Sequence, residues 1–249
     1  MRPLVYAGKM LYDRANTKKE GNDLVKTILF DMDGVLVATE RMHYEALNDV
    51  LAQAIGRTMD WEYYAMFVGS TNAFMWSTLE KDFALGGTSP ALHEAYTRRK
   101  QQVLARDGYT PVEGAPELVR ALAKQGYRMA VASSSPMCDI QAAMQELGII
   151  DCFEALVSGE TVEHPKPAPD VFYKAAACVH SAPADCVVIE DSANGVRATK
   201  AAGMTCIGLR NPDSGNQDLS LADYIVDTLW DAKACIEKVS SMAETEPNK

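Results

Sequence analysis

Positive charge is in short supply in this sequence. Lys and Arg number 24 against 34 Asp and Glu, a formal net charge of −10 over 249 residues. The longest obvious basic run is Arg98-Arg99-Lys100. A nucleic-acid binder carries a basic face, so no nucleic-acid partner is expected. A phosphate-bearing small molecule stays open, because one site can be locally positive inside an acidic protein. No apolar run reaches the roughly 18 residues that a membrane-spanning helix needs, so no membrane partner is expected either. Among the six cysteines, Cys138, Cys152, Cys178, Cys186, Cys206 and Cys235, there is no C-x-x-C pair and no histidine at zinc spacing. Cys186 and Cys206 lie in apolar runs, where a small buried thiol is the simplest reading. Free thiols, and the lack of a charged-then-apolar leader pattern, point to a reducing cytoplasm.

What is present is the composition of a globular domain, 47% hydrophobic and 23% charged. Such a chain buries a sizeable core without disulfide or metal staples. Residues 1–25 are mixed and polar and read as an N-terminal extension. An apolar strand, Thr27 to Phe30, runs into Asp31-Met32-Asp33-Gly34. A largely helical block follows from Glu40 to about Gly108, its apolar residues recurring at helical spacing in Met42, Ala46, Leu47, Val50, Leu51 and Ile55. Gly86-Gly87 breaks it, and Ser89-Pro90 reads as an N-cap followed by the first helical position. From Thr110 short apolar strands alternate with helices of about a dozen residues, the signature of βαβ units and a parallel sheet. The expected class is α/β: a Rossmann-like parallel sheet core over 26–38 and 111–249, with an inserted helical domain over 39–110.

Ligands of parallel sheets bind beyond the carboxyl ends of the strands. Four polar clusters fall at such ends: Asp31-Met32-Asp33, Ser133-Ser134-Ser135, the Lys166 loop, and Glu190-Asp191-Ser192. Each alone has an ordinary explanation as a turn, a cap or a solvated loop. Four at the same kind of place do not. Carboxylates from two strand ends make an oxygen-rich site for a hard cation such as Mg²⁺. A lysine and hydroxyls nearby make an anion site, and the combination is the equipment of phosphoryl transfer.

The ordered set resembles the haloacid dehalogenase superfamily. Phe30-Asp31-Met32-Asp33-Gly34-Val35-Leu36 looks like its first motif, Ser133 its second, Lys166 before a proline its third, and Ile189-Glu190-Asp191-Ser192-Ala193-Asn194-Gly195-Val196 its fourth. The resemblance runs from Thr27 to Val226 and is nearest to the β-phosphoglucomutase-like branch, which carries a helical cap between the first two motifs. It implies that Asp31 is the nucleophile and Asp33 the general acid/base. It also implies that Ser133, Ser134 and Lys166 hold phosphate oxygens. Asp31, Glu190, Asp191 and the backbone carbonyl of Asp33 are implied as the Mg²⁺ site.

The inserted block offers His43 and Asn72 as readers of the leaving group, His43 at the spacing where mutases of that branch have a histidine. Three departures stand out. Ala38 replaces an aspartate of the first motif, Asn72 stands where the mutases have an arginine, and Pro136 where they have a lysine. A mutase needs a second anion site, and each charge-assisted bond is worth about 1.5–3 kcal/mol. A phosphatase acting on a small, sugar-like phosphate ester, as monomer or weak homo-oligomer, is therefore expected ahead of a phosphosugar mutase. A non-catalytic phospho-ligand binder on the same scaffold is a third reading, which intact Asp31, Asp33, Lys166 and Asp191 oppose.

Overall fold

Five of the six strands are short, mostly apolar runs buried along nearly their whole length, so each must be covered on both sides. The structure, a computed structural model, describes residues 27–245; the expected extension at 1–25 lies outside the described residues. The strands are β1 (Thr27–Phe30), β2 (Arg128–Ser133), β3 (Ala155–Ser158), β4 (Cys186–Glu190), β5 (Thr205–Leu209) and β6 (Tyr224–Val226). They form one parallel sheet in the order β3-β2-β1-β4-β5-β6. Helices α5 (Ala115–Lys124), α6 (Met137–Glu146), α7 (Asp170–Cys178), α8 (Ala193–Ala201) and α9 (Leu229–Thr245) connect and cover the strands. One sheet face packs Ile28, Phe30, Met129 and Val131 against α5, α6 and α9. The other packs Leu29, Ala130 and Val188 against Val171, Phe172 and Ala175 of α7. The chain is thus an α/β protein with a Rossmann-like sheet.

This strand order reverses direction between β1 and β4. At such a switch the connections leave to opposite sides and open a crevice beyond the strand ends. Both strands carry carboxylates into that crevice.

The expected helical block is present as α1 (Glu40–Ile55), α2 (Trp61–Ala65), α3 (Asn72–Asp82) and α4 (Ser89–Asp107). It has its own apolar cluster, in which Leu47, Leu51, Trp76, Leu79 and Tyr96 are buried. The chain leaves and re-enters the core at one place. Val37 bridges to Pro111, and the amide of Ala38 donates to the Thr110 carbonyl at 2.8 Å. Ala38 takes part through its backbone, and its methyl group offers no hydrogen bond.

One boundary expectation is corrected. Ser89 is the first residue of α4 rather than its N-cap; Thr88 occupies the cap without a side-chain capping bond, its hydroxyl donating back to the Leu85 carbonyl, and Pro90 follows one place later than expected. The Ser89 hydroxyl is drawn instead to Glu80 of α3, so a tertiary partner outweighs the local cap. The glycine stops expected at Gly126, Gly148 and Gly203 all have positive φ just past their helices. Among the described residues, no helix is long and apolar enough to cross a membrane, and all six cysteines are free.

Leu118 of α5 is fully buried in the larger core cluster. Leu118→Ala is expected to lower unfolding stability by about 2–5 kcal/mol in urea titration. Leu221→Ala, at a side chain 57% exposed, is expected to stay within about 0.5 kcal/mol.

Candidate active site

β1 ends at Phe30, and the chain continues extended through Asp31 before turning tightly. The amides of Leu36 and Val37 both donate to the Met32 carbonyl, at 2.8 and 3.1 Å. Gly34 has a φ of 80°, and a Cβ there would lie 1.9 Å from Asp191 Oδ2. Only glycine lets this turn press against the end of β4. A second close approach fixes the other side: a Cβ on Gly195 in α8 would overlap the Glu190 carboxylate at 1.6 Å.

The four expected clusters meet here. Lys166 is buried, and its Nζ donates to Asp31 Oδ1 at 2.6 Å and to Glu190 Oε1 at 2.7 Å. The other Glu190 oxygen accepts from the backbone amide and hydroxyl of Ser192, at 2.8 and 2.9 Å. Ser192 in turn N-caps α8 by accepting from the Gly195 amide. Glu190 is therefore held on both oxygens and orients Lys166.

Asp31, Glu190 and Asp191 each place a carboxylate oxygen within 4.8 Å of the others. Three carboxylates against one ammonium leave two negative charges uncompensated in a buried place. Burial first, and the Glu190 and Asp33 charges after it, outweigh the pull of Lys166 and push Asp31 up to about 8. Burial, with Glu190 and Asp31, likewise holds Asp191 well above the ordinary carboxylate range. For Lys166, burial opposes the charged form, but Asp31 and Glu190 outweigh it and hold the ammonium above its usual value. Asp191 bonds Ser214 through Oδ2, while its buried Oδ1 has no hydrogen-bond partner. An orphaned buried oxygen among three hard donors with net negative charge fits a small divalent cation. The side chain of Asp33 is not in this group.

Asp33 instead faces α1 and the serine loop. It accepts from Thr39 Oγ1 at 2.5 Å and from Ser135 Oγ at 2.6 Å, with Ser133 Oγ further off at 3.5 Å. His43 Nε2 lies 3.8 Å away, and His43 Nδ1 is 2.5 Å from the Tyr96 hydroxyl. Burial works to raise the Asp33 pKa, but His43, Ser135 and Thr39 overcome it and bring it down to about 2. Two carboxylates two residues apart thus sit in opposite environments.

Of the expected site residues, Ser133 is fully buried and its hydroxyl accepts from the Ser135 amide. Ser134 donates to the Gly69 carbonyl at 2.9 Å, joining the core to the inserted helices. His43 and Asn72 both line the crevice beside Asp31 and Asp33. Sequence reasoning missed Glu40, Tyr64 and Tyr96, and it placed Ser135 in the serine cluster without assigning it a role. Glu40 opens α1 facing the crevice, buried, and accepts from the Tyr64 hydroxyl at 2.6 Å. Burial, assisted by Asp33, outweighs His43 and Tyr64 and raises Glu40 to about 7. A buried acid at the first turn of a helix looks like an ordinary dipole partner in sequence, so no local signal marked it.

A family model described as haloacid dehalogenase-like hydrolase matches residues 25–203. The chain belongs to the haloacid dehalogenase-like hydrolase family. It is an enzyme of that family. Relatives include Fructose-1-phosphate phosphatase YqaB of Escherichia coli, 32% identical over 74% of this chain and 95% of that protein. Beta-phosphoglucomutase of Bacillus subtilis is 30% identical over 74% of this chain and 83% of its own. Among solved structures, CbbY from Rhodobacter sphaeroides in complex with phosphate superposes with a TM-score of 0.69. It is 27% identical and covers 82% of this chain and 94% of that one.

Two outcomes follow from the charge balance. Mg²⁺ at a hundredfold over its Kd is expected to stabilise the protein by about 2.7 kcal/mol. Asp191→Asn is expected to raise the melting temperature in EDTA, by relieving repulsion, and to abolish the Mg²⁺-dependent gain; calorimetry with and without Mg²⁺ reads both. Separately, Glu40 binds its proton more tightly folded than unfolded, so its contribution to stability is full below about pH 4.5 and lost as pH rises through about 7. Glu40→Gln is expected to flatten that part of the stability–pH curve, measured by urea titration at a series of pH values.

Proposed function

We propose that this phosphoric monoester hydrolase cleaves a small sugar phosphate, with Mg²⁺, through an aspartyl-phosphate on Asp31. The carrying observation is the meeting of Asp31, Lys166, Glu190 and Asp191 at the β1/β4 crevice, with Asp33 two residues on in a different environment. Names of relatives, one a fructose-1-phosphate phosphatase, support the sugar-phosphate reading. We take residues 39–110 as a cap that covers the crevice, and free thiols as consistent with a cytoplasmic enzyme.

The chemistry assigns one task to each group. An Asp31 oxygen attacks phosphorus as the bond to the ester oxygen breaks. Asp33 gives its proton to the departing oxygen, so the leaving group departs as an alcohol rather than an alkoxide. In the second half, Asp33 takes a proton from water as that water attacks phosphorus, and Asp31 is released with inorganic phosphate. Lys166, fixed by Glu190, faces the phosphate oxygens and offsets their repulsion from Asp31. Asp31, Asp191 and the backbone carbonyl of Asp33, with Glu190 beside them, would hold a divalent cation, which would supply Lewis-acid screening of that charge and favour ionised Asp31. As an acid, Asp33 must take up a proton that His43, Ser135 and Thr39 oppose. The negative charge of a bound phosphate ester beside it works in the needed direction.

The crevice lining favours hydrolysis of a monophosphate over mutase action. Among the described residues, no Lys or Arg lines it on the cap side, where Glu40, His43, Tyr64, Asn72 and Tyr96 gather; Lys100 reaches only a small adjoining cavity, where Asp139 pairs with it. Asn72 begins α3 and Pro136 precedes α6, so neither expected cation position is charged. Neutral and acidic acceptors suit hydroxyl groups of a polyol, and a second phosphate would meet Glu40.

The wild-type protein is expected to release phosphate from p-nitrophenyl phosphate and from members of a hexose- and pentose-phosphate panel. Either EDTA or Asp31→Asn is expected to reduce the rate by at least about a hundredfold. Turnover that survives both defeats the reading, and efficient isomerisation of β-glucose 1-phosphate with a bisphosphate activator reverses the order of hydrolase and mutase.

A further inference from the structure

Lys100 is a cation with no place in the chemistry above, yet it is only 4% exposed. It belongs to α4 of the cap, and its ammonium pairs with Asp139 in the first turn of core helix α6. Other polar contacts between cap and core differ in kind. The Arg41–Asp213 pair is at the surface, with side chains 69% and 38% exposed. Ser134 and Gln217 each bond a cap carbonyl, of Gly69 and Ala65. Among the described residues, Lys100–Asp139 joins the two parts with side chains 6% and 21% exposed, and the other enclosed pair across the seam, His43–Asp33, belongs to the crevice itself. Exposed pairs hold little, whereas an enclosed charge deprived of its partner is unfavourable. Outside the crevice, Lys100–Asp139 is therefore the more constraining of the two lysine or arginine pairs between cap and core.

From the pair, contacts run in both directions and meet. One turn back along α4, Tyr96 presents its ring to the Lys100 ammonium at 6.0 Å and its hydroxyl to His43 Nδ1 at 2.5 Å. His43 Nε2 then faces Asp33 at 3.8 Å. On the core side, the Asp139 amide donates to the Pro136 carbonyl at 3.0 Å. Ser135, next to Pro136, donates to Asp33 at 2.6 Å. The circuit closes on Asp33. The Tyr96 hydroxyl, held protonated by burial and the nearby Glu40 charge, fixes the His43 ring through Nδ1, and the Nε2 edge is the one that faces Asp33.

We propose that Lys100 and Asp139 are positioning residues: their ion pair sets the register of α4 on α6, so that Tyr96 holds His43 against Asp33. Neither touches substrate. The inference rests on the phosphatase reading for its kinetic consequence but not for its structural one. A small displacement of groups near reacting atoms can cost up to about a hundredfold in rate.

The test uses Lys100→Met, Asp139→Asn and the double variant in the full chain, each checked for folding by circular dichroism and melting. Lys100→Met and Asp139→Asn are each expected to lower kcat for p-nitrophenyl phosphate about tenfold, with KM moving less than threefold. The double variant is expected to be no worse than the poorer single one, as for residues acting through one contact. Ring ¹⁵N resonances of His43, identified with His43→Gln, are expected to move in both single variants relative to the wild type, as the ring loses its fixed contact with Tyr96. Should Lys100→Met fail to fold, Asp139→Asn, which keeps an oxygen facing the ammonium, decides alone. Unchanged His43 resonances, or multiplicative losses in the double variant, overturn the proposal. An inactive wild type with the expected movement of the His43 resonances would refute the phosphatase reading and leave the positioning role standing.

Discussion

The site is organised around a buried ammonium. Lys166 lies between Asp31 at the end of β1 and Glu190 at the end of β4, within 2.7 Å of both. Without it, the crevice would hold three close, buried carboxylates with no counter-charge, and burial would press them further toward their protonated forms. With it, Asp31 has a counter-charge aimed at the position an anionic substrate must occupy. The sheet order follows as a requirement. Only neighbouring strands that leave to opposite sides bring two carboxylate-bearing ends together while keeping a crevice open between them. Close packing follows as well, since Gly34 and Gly195 are positions where one added carbon would strike Asp191 or Glu190.

A second constraint separates the two aspartates. Asp31 is enclosed with other carboxylates and pushed up, whereas Asp33 is surrounded by hydroxyls and an imidazole and pulled down. A pair of acids with divided roles needs such a division. Its direction here is that of the protein alone. Positive charge beside Asp31 and negative charge beside Asp33 both act to reverse it, and those are the charges that a divalent cation and a phosphate ester bring. On the proposed function, the cleft would then answer to both ligands jointly rather than to either one.

The legible part of the structure was the part written in consecutive residues. Strands such as Ile28-Leu29-Phe30 and Val187-Val188-Ile189 are short, apolar and regularly spaced, so the parallel sheet and the meeting of its polar ends could be read directly. The inserted helices were legible as helices through the spacing of Ala46, Leu47, Val50 and Leu51. Their contribution to the site was not. Glu40, Tyr64 and Tyr96 lie far apart in the chain, and each has an unremarkable local role in its helix. Their convergence depends on how α1, α2 and α4 pack, a tertiary fact without a local pattern. The Ser89 boundary slipped for the same reason, because Glu80 on another helix captured its hydroxyl.

That asymmetry has a physical origin. Attack on phosphorus needs a nucleophile, a proton carrier and a cation at nearly fixed separations, which a rigid sheet edge supplies through short motifs. Recognition of the leaving group needs only a complementary lining, and many packings of four helices provide one. The core therefore constrains reaction type while the insertion is free to vary with substrate, and the lining of this insertion is the informative part. It sets a buried acid at Glu40 and neutral hydroxyls at Tyr64 and Tyr96 opposite the phosphate end. Coulomb repulsion in a water-poor cleft grows steeply as the dielectric falls. On the proposed reading, an ionised Glu40 would therefore oppose a second phosphate or a carboxylate on the leaving group more strongly than it would choose among neutral polyols, and that opposition would strengthen as pH rises through about 7.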